Sequence, residues 1–119
     1  FAAHSFDHAL VVTTLCFVDS PSRLLAEARR VLRPGGRLVI GFIDRASPLG
    51  RDYLARSAES TFYRDAKFHS AEEVGVLLES AGFTIEAWAQ TLICAEPAVI
   101  EPVRPGHGEG SFVVVAARA

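Results

Sequence analysis

Apolar positions in this chain fall into short continuous runs and longer stripes with helical spacing. Phe6 to Leu15 is nearly continuous in apolar and β-branched residues, the pattern of a strand covered on both faces. Ser20 then offers an N-cap and Pro21 a first helical position. Leu24, Leu25, Ala28, Val31 and Leu32 form one stripe at helical spacing, so a helix is predicted there. Arg29, Arg30 and Arg33 lie at its end, where the macrodipole favours cations. Pro34-Gly35-Gly36 predicts the helix stop and a turn, and Arg37 to Ile43 a second strand buried on both faces. A whole helix between two strands favours a parallel, right-handed crossover.

Ser47-Pro48 opens another helical stretch, with Leu49, Tyr53, Leu54 and Ala58 on one side. The following segment, Ser60 to Phe68, has no clean period; its aromatics among charged residues suit either a lid over a site or a surface loop. Ser70-Ala71-Glu72-Glu73 reads as a capping box, Val74, Leu77, Leu78 and Ala81 as the stripe behind it, and Gly82 as the stop. From Phe83 to Ile93 an apolar set (Phe83, Ile85, Ala87, Ala89, Thr91) alternates with a mixed one (Thr84, Glu86, Trp88, Gln90), which predicts a strand. Glu96 to Gly110 is rich in proline and glycine and reads as a loop, and Ser111 to Ala117 as the last strand. No helix signal separates these last two strands, so they are expected to pair antiparallel. The order of elements is that of an α/β fold with helices packed on a sheet.

The 119 residues suit one domain, 1–119. Half are apolar and 22% charged, a globular composition. A net charge of −2 gives no electrostatic reason to expect nucleic acid or an anionic membrane as partner. No apolar run is long enough to span a bilayer, and no basic secretory start is present, so a cytoplasmic location is expected. Cys16 and Cys94, in apolar stretches, read as buried thiols in a reducing compartment, and no spacing suggests a metal site. The chain opens on Phe1 and enters its first strand within a few residues, as a processed domain or a fragment of a longer chain would.

Particular strings carry a family resemblance. Phe6-Asp7 before an apolar strand, Glu27 to Gly36 before Leu38-Val39-Ile40, and Ser70 to Glu73 leading to Ala81-Gly82-Phe83 together resemble the C-terminal half of class I S-adenosylmethionine (SAM)-dependent methyltransferases. The nearest group is the small-molecule enzymes related to ubiquinone and menaquinone biosynthesis. The resemblance implies a Rossmann-like half-fold supplying strands four to seven of the family sheet, with the seventh antiparallel beside the sixth. It implies SAM as cofactor and a small-molecule methyl acceptor as partner, with no nucleic acid and no membrane. The family's glycine-rich SAM loop has no counterpart here. Gly35-Gly36 and Gly106-x-Gly108-x-Gly110 both precede predicted strands, whereas a phosphate- or cofactor-cradling loop precedes a helix. The chain alone is therefore expected to bind SAM poorly and to lack activity.

In open parallel sheets, ligands bind beyond the carboxyl ends of the strands. By resemblance, Thr13, Thr14, Leu15, Cys16 and Phe17 line the cofactor, while Asp44, Arg45, Tyr63 and His69 fall on the substrate side. Each has a plainer reading: strand-end packing for the first set, a solvated turn for Asp44 and Arg45, a surface or capping histidine for His69. Methyl transfer from a sulfonium needs alignment of donor and acceptor, and a base only if the acceptor is protonated, so the lack of a catalytic triad is no objection. The rival reading is an inactive half-fold that assembles, as a homo-oligomer or with another chain, through an apolar edge at Phe6 to Leu15.

Overall fold

The computed structural model describes residues 1–56, 66–93 and 100–119. Its sheet has five strands in the order β1-β2-β5-β3-β4. These are β1 (Phe6–Val12), β2 (Leu32–Ile43), β3 (Thr84–Thr91), β4 (Arg104–Pro105) and β5 (Phe112–Arg118). The helices are α1 (Pro21–Val31), α2 (Pro48–Arg56) and α3 (Ala71–Ser80). β1 and β2 are parallel and joined through α1, while β5 runs antiparallel between β2 and β3. The fold is thus α/β with an antiparallel C-terminal strand, as the sequence predicts.

The core lies on one face of this sheet. Leu38, Ile40 and Phe42 of β2 stand directly opposite Ala117, Val115 and Val113 of β5, all buried. α1 presses Leu25 onto this layer and α3 adds Val74 and Leu78. Full burial stabilises each large aliphatic side chain here by roughly 1.5–3 kcal/mol. Both helix starts follow the sequence: Ser20 accepts from the Arg23 amide ahead of Pro21, and Ser70 with Glu73 forms the capping box. On the other face Val39, Val114 and Ala116 are only half-buried.

Three predicted features differ. First, β1 is not covered on both faces. It is the outer strand, so Ala9 and Val11 reach the core while Leu10 is 70% exposed and Phe6 and Val12 are also open. It also ends early, because Thr13 takes a left-handed conformation (φ 48°) and Leu15–Phe17 forms a short 3-10 turn. Second, Pro34-Gly35-Gly36 does not stop the helix. α1 ends at Val31 and Leu32 is already extended, so the triplet is a kink inside β2. There the pairing with β1 jumps from Phe6 opposite Leu32 to His8 opposite Arg37. Gly35 supplies the φ of +80° that the kink needs.

Third, β3 does not keep one alternation. Ile85 pairs with Ala117 but Ala87 pairs with Ala116, so Glu86 is an extra residue that shifts the phase. Beyond it Trp88 and Gln90 turn to the core side opposite Val115 and Val113, and Ala87 is exposed. The predicted apolar and mixed faces therefore exchange halfway along. The bulged Glu86 accepts from both Arg37 and Arg118. The loop before β5 also contains β4, paired with Ala89 and Gln90. Cys16 is half-buried rather than buried, and Cys94 lies outside the described residues. No helix among the described residues is long and apolar enough to cross a membrane.

Candidate functional site

The carboxyl ends of β1 and β2 meet where the topology places a ligand. After Val12 the Thr13 amide donates to the Gly41 carbonyl (2.9 Å), the last link between the strands. The chain then curls: the Thr14 hydroxyl donates back to the Val12 carbonyl (2.9 Å) and the Phe17 amide to the Thr14 carbonyl (3.0 Å). The Lys67 amide donates to the Cys16 carbonyl (2.7 Å), tying this curl to the segment before α3. Thr13, Leu15 and Cys16 line a cavity of about 10 Å³ together with Ile43, Phe68 and His69. Thr14 and Phe17 do not line it; both face outward, Phe17 with its ring half-exposed. Burial pushes the Cys16 thiol above its ordinary value, so it stays protonated at neutral pH.

Beyond β2, Asp44 and Arg45 form the turn into α2. Asp44 is buried, not solvated: its Oδ1 accepts from the Ala46 amide (2.9 Å) and its carbonyl from the Ser47 hydroxyl (2.6 Å). It caps a tight turn, which explains burial of a carboxylate that has no cationic partner among the described residues. Arg45 is half-exposed and its guanidinium pairs with Glu73. Glu73 has three tasks, since it also closes the capping box and stands 3.8 Å from Nδ1 of His69.

His69 is held by its backbone beside the end of β2. It bridges to Asp44, and its carbonyl accepts from the Arg45 amide (3.1 Å). Its Nε2 is buried with no hydrogen-bond partner among the described residues. An unsatisfied buried polar atom costs about 1–3 kcal/mol, so its retention calls for a reason. His69 is therefore neither a surface nor a capping histidine.

A second, open cleft of about 470 Å³ lies beside this turn. Asp44, Arg45, Ser70 and Glu72 form one side, and His107 and Gly108 the other. His107 is placed by the loop before β5, which Gln90 organises. The Gln90 side chain donates to the Pro105 carbonyl (3.0 Å) and accepts from the Glu109 and Gly110 amides (2.9 and 2.8 Å). The His107 ring meets Trp88 edge-on at 4.6 Å. Sequence reasoning gave no role to Gln90 or His107, and placed Phe68 only in a segment read as a lid or a surface loop. The bulge at Glu86 hides Gln90, and only the folded loop brings His107 across to Arg45. Tyr63 lies outside the described residues.

The curl at Thr13 to Phe17 offers a half-exposed ring and apolar walls, surfaces that could hold one side of an adenine or a methionine chain. It offers no basic side chain for a carboxylate, and about half of its own polar backbone is already paired. Among the described residues no cluster of side chains could hold a metal.

Comparison with known proteins places this geometry. Residues 1–40 match the family model described as a methyltransferase domain. An uncharacterized protein of Methanocaldococcus jannaschii is 41% identical over 118 residues, covering 98% of this chain and 58% of the relative. A crystal structure from Thermotoga maritima, described as a SAM-dependent methyltransferase and possible histamine N-methyltransferase, is 48% identical. It superposes with a TM-score of 0.93 over 98% of this chain and 57% of its own length. An O-methyltransferase of Aspergillus nomiae is 34% identical over 87 residues, covering 71% of this chain and 37% of the relative. The chain thus spans under two thirds of the relatives that it matches.

Proposed function

Since this chain belongs to the class I SAM-dependent methyltransferases, we propose that it forms the acceptor-side part of a small-molecule methyltransferase, strands four to seven of the family sheet. The observation that carries the reading is the placing of β5. An antiparallel last strand between β2 and β3 follows the family topology, and the 48% identical SAM-dependent methyltransferase superposes on almost the whole chain. Thr13 to Phe17 then flank SAM, whose sulfonium supplies an activated methyl group. Asp44, Arg45 and His69 face the acceptor, with Tyr63 on the same side by resemblance. Oriented approach of an acceptor atom to the methyl carbon suffices for transfer. Of the finer assignments, the small organic acceptor rests on the family resemblance and the cytoplasmic location on the sequence pattern alone.

Calorimetry with SAM tests this. One wall without a glycine-rich loop should bind weakly, at about 1 mM, equivalent to roughly −4 kcal/mol. Micromolar binding by the chain would show that the donor site is complete within these residues. Absence of even millimolar binding would remove the donor site from this chain.

A second reading is favoured by β1. Its outer edge is unpaired among the described residues, and Leu10 and Val12 stand open beside it. Such an edge is a template for another strand, so assembly through β1 is compatible with either an active or an inactive chain. Light scattering reads the outcome: a monomer at all concentrations speaks against it.

A further inference from the structure

Among the described residues, Nε2 of His69 is the buried side-chain polar atom left without a hydrogen-bond partner. The ring is anchored: its backbone is fixed to Asp44 and Arg45, and the Glu73 carboxylate stands 3.8 Å from Nδ1. A carboxylate on that side favours the tautomer with the proton on Nδ1, which leaves Nε2 bare as a hydrogen-bond acceptor. The ring borders the cavity with Thr13, Leu15 and Cys16, the residues read above as the donor side. None of these neighbours satisfies Nε2, and the Cys16 thiol is itself turned to the Thr13 carbonyl (3.6 Å).

We propose that His69 receives the proton of the methyl acceptor, which makes the acceptor class a protic nucleophile bearing N–H, O–H or S–H. The inference rests on the methyltransferase reading above. As the acceptor's lone pair bonds to the methyl carbon of a sulfonium donor, the carbon–sulfur bond breaks and its electron pair stays on sulfur. The acceptor's proton passes to Nε2. The positive charge lost by the sulfonium reappears on the imidazolium, beside Glu73. A carbanion or a tertiary amine would have no use for such a base. The cavity that His69 borders, about 10 Å³, has room for no more than a single small group, so the bulk of an acceptor lies outside it.

Long-range proton–nitrogen NMR of the 119-residue chain at pH 8, assigned against His69→Gln, reads the tautomer. Nδ1 protonated and Nε2 bare is the expected result; a proton on Nε2 overturns the proposal. The same spectra then follow millimolar S-adenosylhomocysteine and millimolar sinefungin, whose amine replaces the sulfonium methyl. Nε2 should move with sinefungin only. Sinefungin should bind roughly tenfold tighter than S-adenosylhomocysteine, a preference that His69→Gln removes while S-adenosylhomocysteine still binds. Equal binding of both ligands, or a fixed water on Nε2 in both spectra, refutes the role of His69 and leaves the methyltransferase reading intact. If neither ligand binds, that reading fails and the role of His69 fails with it.

Discussion

Gly50 lies so close against the carbonyl of Asp44 that a Cβ would overlap the oxygen. The contact arises because the turn after β2 closes tightly: the Gly50 amide donates to the Ser47 hydroxyl (3.0 Å), which itself donates to the Asp44 carbonyl. The obstructing atom is backbone, so rotation of a side chain cannot relieve it. Gly50→Ala should cost about 3 kcal/mol, at the upper end for overpacking. Urea denaturation gives the number, and an unchanged midpoint would mean that α2 enters differently from the turn described.

Gln90→Leu should be costly for another reason. It strands the amides of Glu109 and Gly110 and the carbonyl of Pro105 at a partly buried site. A loss of about 2–4 kcal/mol is expected. Trp88 is the sole tryptophan, so its emission reports the loop directly, and a red shift should accompany release of His107. Blue-shifted, native emission in a destabilised variant would separate loop order from Gln90.

Cys16 gives a pH dependence. Desolvation raises its thiol above the ordinary value of 9.0. The folded state thus holds this proton more tightly than the unfolded chain does. The resulting stabilisation is fully present below about pH 9 and is lost as pH rises through the folded value. Between pH 7.5 and 10 the native chain should lose more stability than Cys16→Ala, measured by urea midpoints under reducing conditions. Parallel losses in the two proteins would place the thiol in water.

Leu10→Lys probes the outer strand. Leu10 is 70% exposed, so the change should leave the melting temperature nearly unaltered. A charge on an open edge opposes strand addition, so any concentration-dependent increase in sedimentation coefficient should disappear. An undiminished increase would place association elsewhere.

The elements themselves were legible because local signals and burial agree. Ser20-Pro21 and Ser70 to Glu73 announce their helices, and continuous apolar runs announce β2 and β5. The differences come from relations between distant segments. Nothing local shows that β1 has no second neighbour among the described residues, so its apolar run reads as buried. The Pro34-Gly35-Gly36 kink resembles a helix stop because the same residues serve both purposes. At the candidate site, the crossover itself brings the carboxyl ends of β1 and β2 together, but the burial of Asp44 and of His69 Nε2 depends on how the turn and α3 meet. Gln90 was hidden by a single unpaired residue, and His107 by the loop that Gln90 organises.

That residue, Glu86, acts as a phase shifter. Upstream of it β3 presents odd-numbered residues to the helices, and downstream even-numbered ones. Closing the bulge by pairing Glu86 opposite Ala116 would do more than disturb the ion pairs to Arg37 and Arg118. It would turn the downstream half over, sending Trp88 and Gln90 outward and Ala87 and Ala89 inward. The loop carrying His107 would then lose its anchor. One position near the far end of the sheet thus sets, by counting alone, whether the cleft beside Arg45 has a second wall.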